Sequence, residues 1–161
     1  MEEQSHQITV SHPPAAILRV VNPILRFLLR TPVMGAARNQ LMVMSFRGRK
    51  TGRQYAIPLT AHRRGADLYA LTGAPWRLNF RDGTAAEVFH NGTTTTMHGE
   101  LIEDRSRVAD LYRSFSESYG VKGAQRLIGL KFRDQRMPTL EEFTEAVEQN
   151  HLSAIRLTAA E

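Results

Sequence analysis

The dipeptide Asn91-Gly92 leaves this chain few architectures to choose from. It stands between two runs, residues 84–90 and 93–103, that are rich in β-branched residues and carry turn signals at their outer ends. A two-residue hairpin loop needs positive φ at both positions, which Asn and Gly adopt with little strain. The runs must therefore fold back on each other, with His90 opposite Thr93 and Ala85 opposite His98.

A second hairpin is written further upstream. Residues 41–46 and 55–62 are apolar runs separated by the glycine-bounded turn 48–52, and Pro58, which has no N–H for a ladder, places its strand at an edge or a bulge. A third strand, 67–72, follows the turn Arg63-Arg64-Gly65-Ala66, and residues 152–157 read as a last strand. The expectation is an α+β fold: a six-strand, mostly antiparallel split β-barrel with peripheral helices.

Helical signals surround these strands. Residues 15–30 place Ile17, Val21, Ile24, Leu25 and Leu28 near helical period, with Arg19, Arg26 and Arg30 on another face and Pro23 as a kink. Residues 105–119 carry Val108, Leu111, Tyr112 and Phe115 on one face, after Asp104 or Ser106 as cap. Residues 139–149 begin with Thr139 at the N-cap and Glu142 at the capping-box position. Residues 76–81 suit one helical turn, whereas 126–132 fits helix or strand. With 161 residues and no repeat or linker, a single domain is expected: an N-terminal helical segment 1–38, barrel strands over 40–104, and helices with the last strand over 105–161.

Charge is distributed unevenly. The chain carries a net +5, yet no Asp or Glu lies between Gln4 and Ala66, a stretch that holds ten Arg and Lys residues. Such a one-sided positive field suits phosphate, polycarboxylate, nucleic acid or an anionic membrane surface. The absence of cysteine removes disulfides, thiolate metal sites and cysteine nucleophiles, and fits a cytoplasmic protein. The six histidines have no metal-ligand spacing, so no metal is expected, and neither a nucleophile elbow nor a persuasive carboxylate pair argues for hydrolysis. There is no secretory layout at the start, and no apolar run reaches the ~20 residues of a spanning helix.

The basic tip Arg47-Gly48-Arg49-Lys50-Thr51-Gly52-Arg53 is the strongest candidate for chemistry. Two glycines free the backbone to point N–H groups at one spot, Thr51 adds a hydroxyl, and four cations surround it, which together make an anion receptor. The spacing is not that of a phosphate-binding Walker loop. An ordinary polar hairpin tip has the same composition.

With its order Gly48-Arg49-Lys50-Thr51-Gly52, Pro58-Leu59, Gly65-Ala66-Asp67 and Trp76-Arg77-Leu78-Asn79, the run 41–104 resembles the deazaflavin-dependent nitroreductase and quinone reductase family, within the flavin-binding split-barrel group. The resemblance implies coenzyme F420 as cofactor and hydride transfer to an electron-poor small molecule such as a quinone, enone or nitro compound. It implies a tail site at Arg49, Lys50 and Thr51, flanked by Arg47 and Gly52, and a ring over the barrel near the Trp76-Arg77-Leu78-Asn79 segment, with Pro58 also among the cofactor-binding residues. Tyr112 and Tyr119 would be the substrate-side tyrosines, with packing as their alternative role. Two departures stand out: the loop Leu71-Thr72-Gly73-Ala74-Pro75 is shorter than in many members, and Arg77 follows Trp76 where an aromatic residue is usual. Against the family pattern, Arg77 is either a substitute cation for the tail or the mark of a changed ring pocket.

Other ligands fit part of the pattern. One phosphate, as in FMN, would also satisfy Arg49, Lys50 and Thr51, and heme is a more distant planar choice. A non-enzymatic nucleic-acid-binding module agrees with the charge, but no aromatic ladder interleaves with the arginines. Residues 15–30 could lie weakly on the inner face of an anionic membrane or dock on the barrel. Split barrels of this type often pair as homodimers, although no residue pattern here requires it.

Overall fold

The computed structural model describes residues 7–10 and 40–160. The expected helix over 15–30, with its docking or membrane role, lies outside them. Nine strands are described: β1 (Ile8–Val10), β2 (Leu41–Arg47), β3 (Gln54–Thr60), β4 (His62–Arg64), β5 (Asp67–Thr72), β6 (Thr84–His90), β7 (Thr93–Ile102), β8 (Leu130–Phe132) and β9 (Ser153–Ala159). Two helices, α1 (Arg105–Ile128) and α2 (Leu140–Asn150), and a 3-10 turn at Pro75–Phe80 complete the main elements. Among the described residues no helix is long and apolar enough to cross a membrane.

The large sheet has seven strands in the order β3-β2-β6-β7-β9-β5-β4, one more than expected. The extra strand arises because the run 55–62 is not continuous: it breaks at Ala61, and residues 62–64 pair with β5 as a strand of their own. Strands β3 and β4 thus stand at opposite edges of the sheet while only Ala61 separates them in sequence. A sheet with that connection must curl until its edges approach, which is a split barrel. Ala61 is buried, and its N–H donates to the Gln40 carbonyl at 2.8 Å. Pro58 pairs opposite Val43 on edge strand β3, where its missing N–H leaves no ladder bond unmade.

Period-two alternation fills the barrel. Met42, Met44 and Phe46 from β2, Leu68 and Ala70 from β5, Ala86 and Val88 from β6, Met97 from β7, and Ile155 and Leu157 from β9 form one buried cluster with Ala61 and Phe80. The Asn91-Gly92 turn has φ values of 55° and 82°, and the register pairs His90 with Thr93 and Ala85 with His98. Gly99 is needed for a different reason: a Cβ there would lie 2.6 Å from Cδ1 of Phe80. The ring of Phe80 is seated on that bare backbone.

The described residues group into two compact units, each drawn from separate stretches of chain: 40–70, 74–101 and 155–160 in one, and 7–10, 71–73 and 102–154 in the other. The second unit holds α1, α2 and a two-stranded antiparallel sheet of β1 and β8. Residues 8–10, expected within a helical segment, are therefore a strand, held by pairing with residues 130–132. Asp104 caps α1, accepting from the Arg107 N–H at 3.0 Å, and Gly120, with φ 77° and ψ 171°, breaks the helix after Tyr119. Gly129 then ends it in the left-handed conformation, which frees 130–132 to form β8. The capping box at Thr139 and Glu142 forms in both directions, at 3.2 and 2.9 Å.

Candidate functional site

The β2–β3 ladder ends at the pair Arg47 and Gln54, and the six residues between them form a closed loop. The Gly48 N–H donates to the Arg53 carbonyl at 2.8 Å, and the Gly52 N–H donates to the Gly48 carbonyl at 2.9 Å. The Arg53 N–H donates to Thr51 Oγ1 at 3.2 Å. Gly52 has φ 68°, a conformation that side chains resist. Gly48 is fixed by space instead, since a Cβ on it would meet Cε2 of Tyr55 at 2.9 Å.

These internal bonds leave the tip itself open. Among the described residues, the N–H groups of Lys50 and Thr51 and the Lys50 ammonium have no acceptor, so the tip offers two adjacent unpaired backbone donors and one exposed cation. Such a group of donors favours an anion.

The 3-10 turn Pro75–Phe80 is tied to this loop by one side chain. Asn79 Oδ1 accepts from the Arg49 N–H at 2.9 Å, while its Nδ2 donates to the Trp76 carbonyl at 2.7 Å. The Arg49 guanidinium, in turn, lies 2.8 Å from Asp82 Oδ2. Beneath them, Phe46 is an aromatic hub. Its ring stacks on Tyr55 at 5.2 Å between centroids, and lies 5.7 Å from Trp76 and 4.9 Å, edge-on, from Phe80. Edge-to-face and offset contacts of this kind fix ring orientation as well as burying area.

Loop and turn enclose a cleft of about 830 Å³, lined by Gly48, Arg49, Lys50, Thr51, Tyr55, Pro75, Trp76, Leu78, Asn79 and Arg81. That volume falls within the range of small-molecule sites, roughly 300–1,000 Å³. Its lining combines the cations Arg49, Lys50 and Arg81 with the apolar groups of Tyr55, Trp76, Pro75 and Leu78, the last of them 37% exposed.

The structure thus brings together Arg49, Lys50, Thr51, Trp76 and Asn79. The other named residues are placed elsewhere. Arg47 ends β2, Gly52 shapes the loop without lining the cleft, and Pro58 sits within edge strand β3. Arg77 donates to the Ala74 carbonyl at 3.1 Å and is not a lining residue, because the 3-10 turn directs it back along its own backbone. Tyr112 is 2% exposed within α1, which suits packing. Tyr119 stacks on Phe115 at 6.3 Å, and burial raises its phenol pKa above the ordinary value. Neither tyrosine lines the cleft.

Tyr55 and Arg81 were not singled out from sequence. Tyr55 opens a strand, where an aromatic residue is by default core; only its register opposite Phe46 brings it to the cleft. Arg81 repeats Arg77 one helical turn later, a spacing that could have signalled a second cation on the same segment. Among the described residues no group of three or more His, Asp or Glu side chains is placed to hold a metal ion. His62 is buried in β4, and desolvation lowers its pKa to about 4, so it is neutral at pH 7.

Fold and cleft together define a seven-strand split-barrel α+β protein with a basic, aromatic pocket at one hairpin tip. No protein-family model matches the sequence, and no curated protein matches it either. Among solved structures, one described as a domain-swapped dimer is similar at a TM-score of 0.45 and 12% identity, over 86% of this chain and 96% of that one. The conserved hypothetical protein Rv2991 from Mycobacterium tuberculosis is similar at a TM-score of 0.46 and 11% identity, over 100% of this chain and 87% of that one. Likeness this weak carries no argument about function.

Proposed function

We propose that the cleft binds a planar redox cofactor with an anionic tail, coenzyme F420, and that the protein is an oxidoreductase acting on an electron-poor small molecule such as a quinone, enone or nitro compound. One observation carries this: the loop 48–53, with unpaired donors at Lys50 and Thr51, opens into the same cleft as Tyr55 and Trp76. A ligand that joins anionic groups to a flat, apolar part complements both kinds of lining.

The residues present fit the group. Lys50, Thr51 and Arg49 would hold the phosphate and carboxylates, with Arg81 adding field, and the aromatic pair with Pro75 and Leu78 would flank the ring. When bound, a deazaflavin supplies the hydride-transfer chemistry, so no acid–base side chain is obligatory. The chain's share of the work is orientation and exclusion of water. Asn79 locks the distance between the cationic loop and the Trp76 turn, and Phe46, 3% exposed, holds the Tyr55 and Trp76 rings from beneath.

Titration of F420 into the purified protein, followed by fluorescence quenching, tests the proposal; saturable binding at micromolar concentration is expected. FMN is the comparison ligand, because with Arg49 already paired to Asp82 the open donors at Lys50 and Thr51 match a single phosphate. Tighter binding of FMN than of F420, or a flavin spectrum in the protein as isolated, would replace the deazaflavin with a flavin. Failure of both to bind below about millimolar concentration would end the proposal.

A further inference from the structure

We propose that Asp82 is an internal competitor for the anionic ligand: its carboxylate holds the Arg49 guanidinium until a ligand anion takes its place. The inference rests on the assignment of the cleft as an anion site. Asp82 follows the cleft residue Arg81, its side chain is 75% exposed, and its Oδ2 lies 2.8 Å from Arg49. Among the described residues, Arg49 is the single partner of that carboxylate.

The pair is not needed to place the loop. The Arg49 backbone is already anchored through its N–H to Asn79 Oδ1 at 2.9 Å, and the loop is closed by its own bonds from Gly48, Gly52 and Arg53. What Asp82 fixes is the guanidinium alone, and with it the availability of a cation at the cleft wall. An exposed pair of this kind is weak and exchangeable. Phosphate or carboxylate oxygens can replace the carboxylate with the same charge-assisted geometry.

Lys50, which has no partner among the described residues, is then the first contact for an anion, and Arg49 the second, gained only when Asp82 is displaced. A ligand with one weakly charged group gains little beyond Lys50. A ligand with several anionic oxygens recruits Arg49 as well. Asp82 therefore lowers affinity for every ligand that uses Arg49 and keeps the site from filling with ambient small anions.

The test uses the full chain at low ionic strength, with inorganic pyrophosphate as probe and binding followed by calorimetry. Asp82→Asn is nearly isosteric at an exposed position and should fold as the parent does, which a melting curve checks. It should bind pyrophosphate roughly threefold to fivefold more tightly than the parent, the range an exposed ion pair can withhold. In an Arg49→Ala background the same change should give no gain, which separates displacement of Arg49 from a general change in net charge.

Unchanged or weaker binding by Asp82→Asn, or a gain that persists without Arg49, overturns the competitor role. If Lys50→Ala still weakens pyrophosphate binding in that case, the anion site itself stands. No binding of pyrophosphate by either parent or Asp82→Asn overturns both.

Discussion

Two residues, Asn79 and Gly99, carry much of the coupling between barrel and cleft. Asn79 makes one bond to each wall, so Asn79→Ala should cost about 1–2 kcal/mol of stability and loosen ligand binding by more than that change in folding explains. Asn79→Asp keeps the acceptor for the Arg49 N–H but loses the donor to the Trp76 carbonyl, and should fall between parent and Ala. Gly99 acts from below. Its Cβ-free backbone seats Phe80, which is 0% exposed and cannot step aside, so Gly99→Ala should lower stability by about 1–3 kcal/mol. Chemical denaturation of each variant beside its F420 titration checks these outcomes; a neutral Gly99→Ala would mean that Phe80 has room to move. Asn79 and Trp76 were legible as candidates because their spacing after the basic turn could be compared with a known pattern. Asp82 was not, because an exposed acid beside a glycine reads as ordinary turn chemistry until its distance to Arg49 is known.

At the scale of elements, the sequence was readable where local chemistry decides. The Asn91-Gly92 hairpin and its register, the Asp104 and Thr139 caps, the end of the first helical piece at Tyr119, and the strand over 67–72 all follow from turn and cap residues. It was unreadable where closure decides. Residues 55–62 read as one continuous, mostly apolar run, and nothing local says that the chain must leave one sheet edge at Ala61 and join the other. Strands of three residues, such as β1 and β8, have too little period to be seen at all. Substitution at the hairpin turn tests the local half of this account. Gly92, at φ 82°, cannot take a β-branched residue without strain, so Gly92→Val should lower the melting temperature while F420 affinity at 20 °C stays near that of the parent. Lost binding with unchanged melting would give that turn a functional role.

For the molecule as a whole, acid should be the weak side. His62 has a folded-state pKa of about 4 against an ordinary 6.5, because burial disfavours the imidazolium. Between those values the unfolded chain binds the proton and the folded chain does not. The stabilisation is therefore complete above about pH 6.5 and is lost as pH falls toward 4, by about 3 kcal/mol in total. Glu142 adds to the same trend at lower pH. Its hydrogen bonds to Arg136 and to the Thr139 backbone hold its pKa at about 2 against 4.5, although solvent around the exposed Arg136 guanidinium screens the pair and makes the contribution small. Melting temperatures from pH 7 to pH 4 should fall steadily in the parent and less steeply in His62→Leu; parallel curves would assign acid sensitivity to other groups.

The cofactor assignment for the whole molecule turns on whether the basic tip serves a ligand or only the solvent. The decisive quantity is the F420 dissociation constant of the parent and of the Arg49→Ala/Lys50→Ala double variant at low salt, with a melting curve for each. Both side chains are exposed and add little to folding, whereas each is a charge-assisted contact to an anion. The double variant should bind at least about tenfold more weakly while melting within a few degrees of the parent. Equal affinity in the two proteins would contradict the assignment of the tip as the tail site, and with it the reading of the cleft as a cofactor pocket.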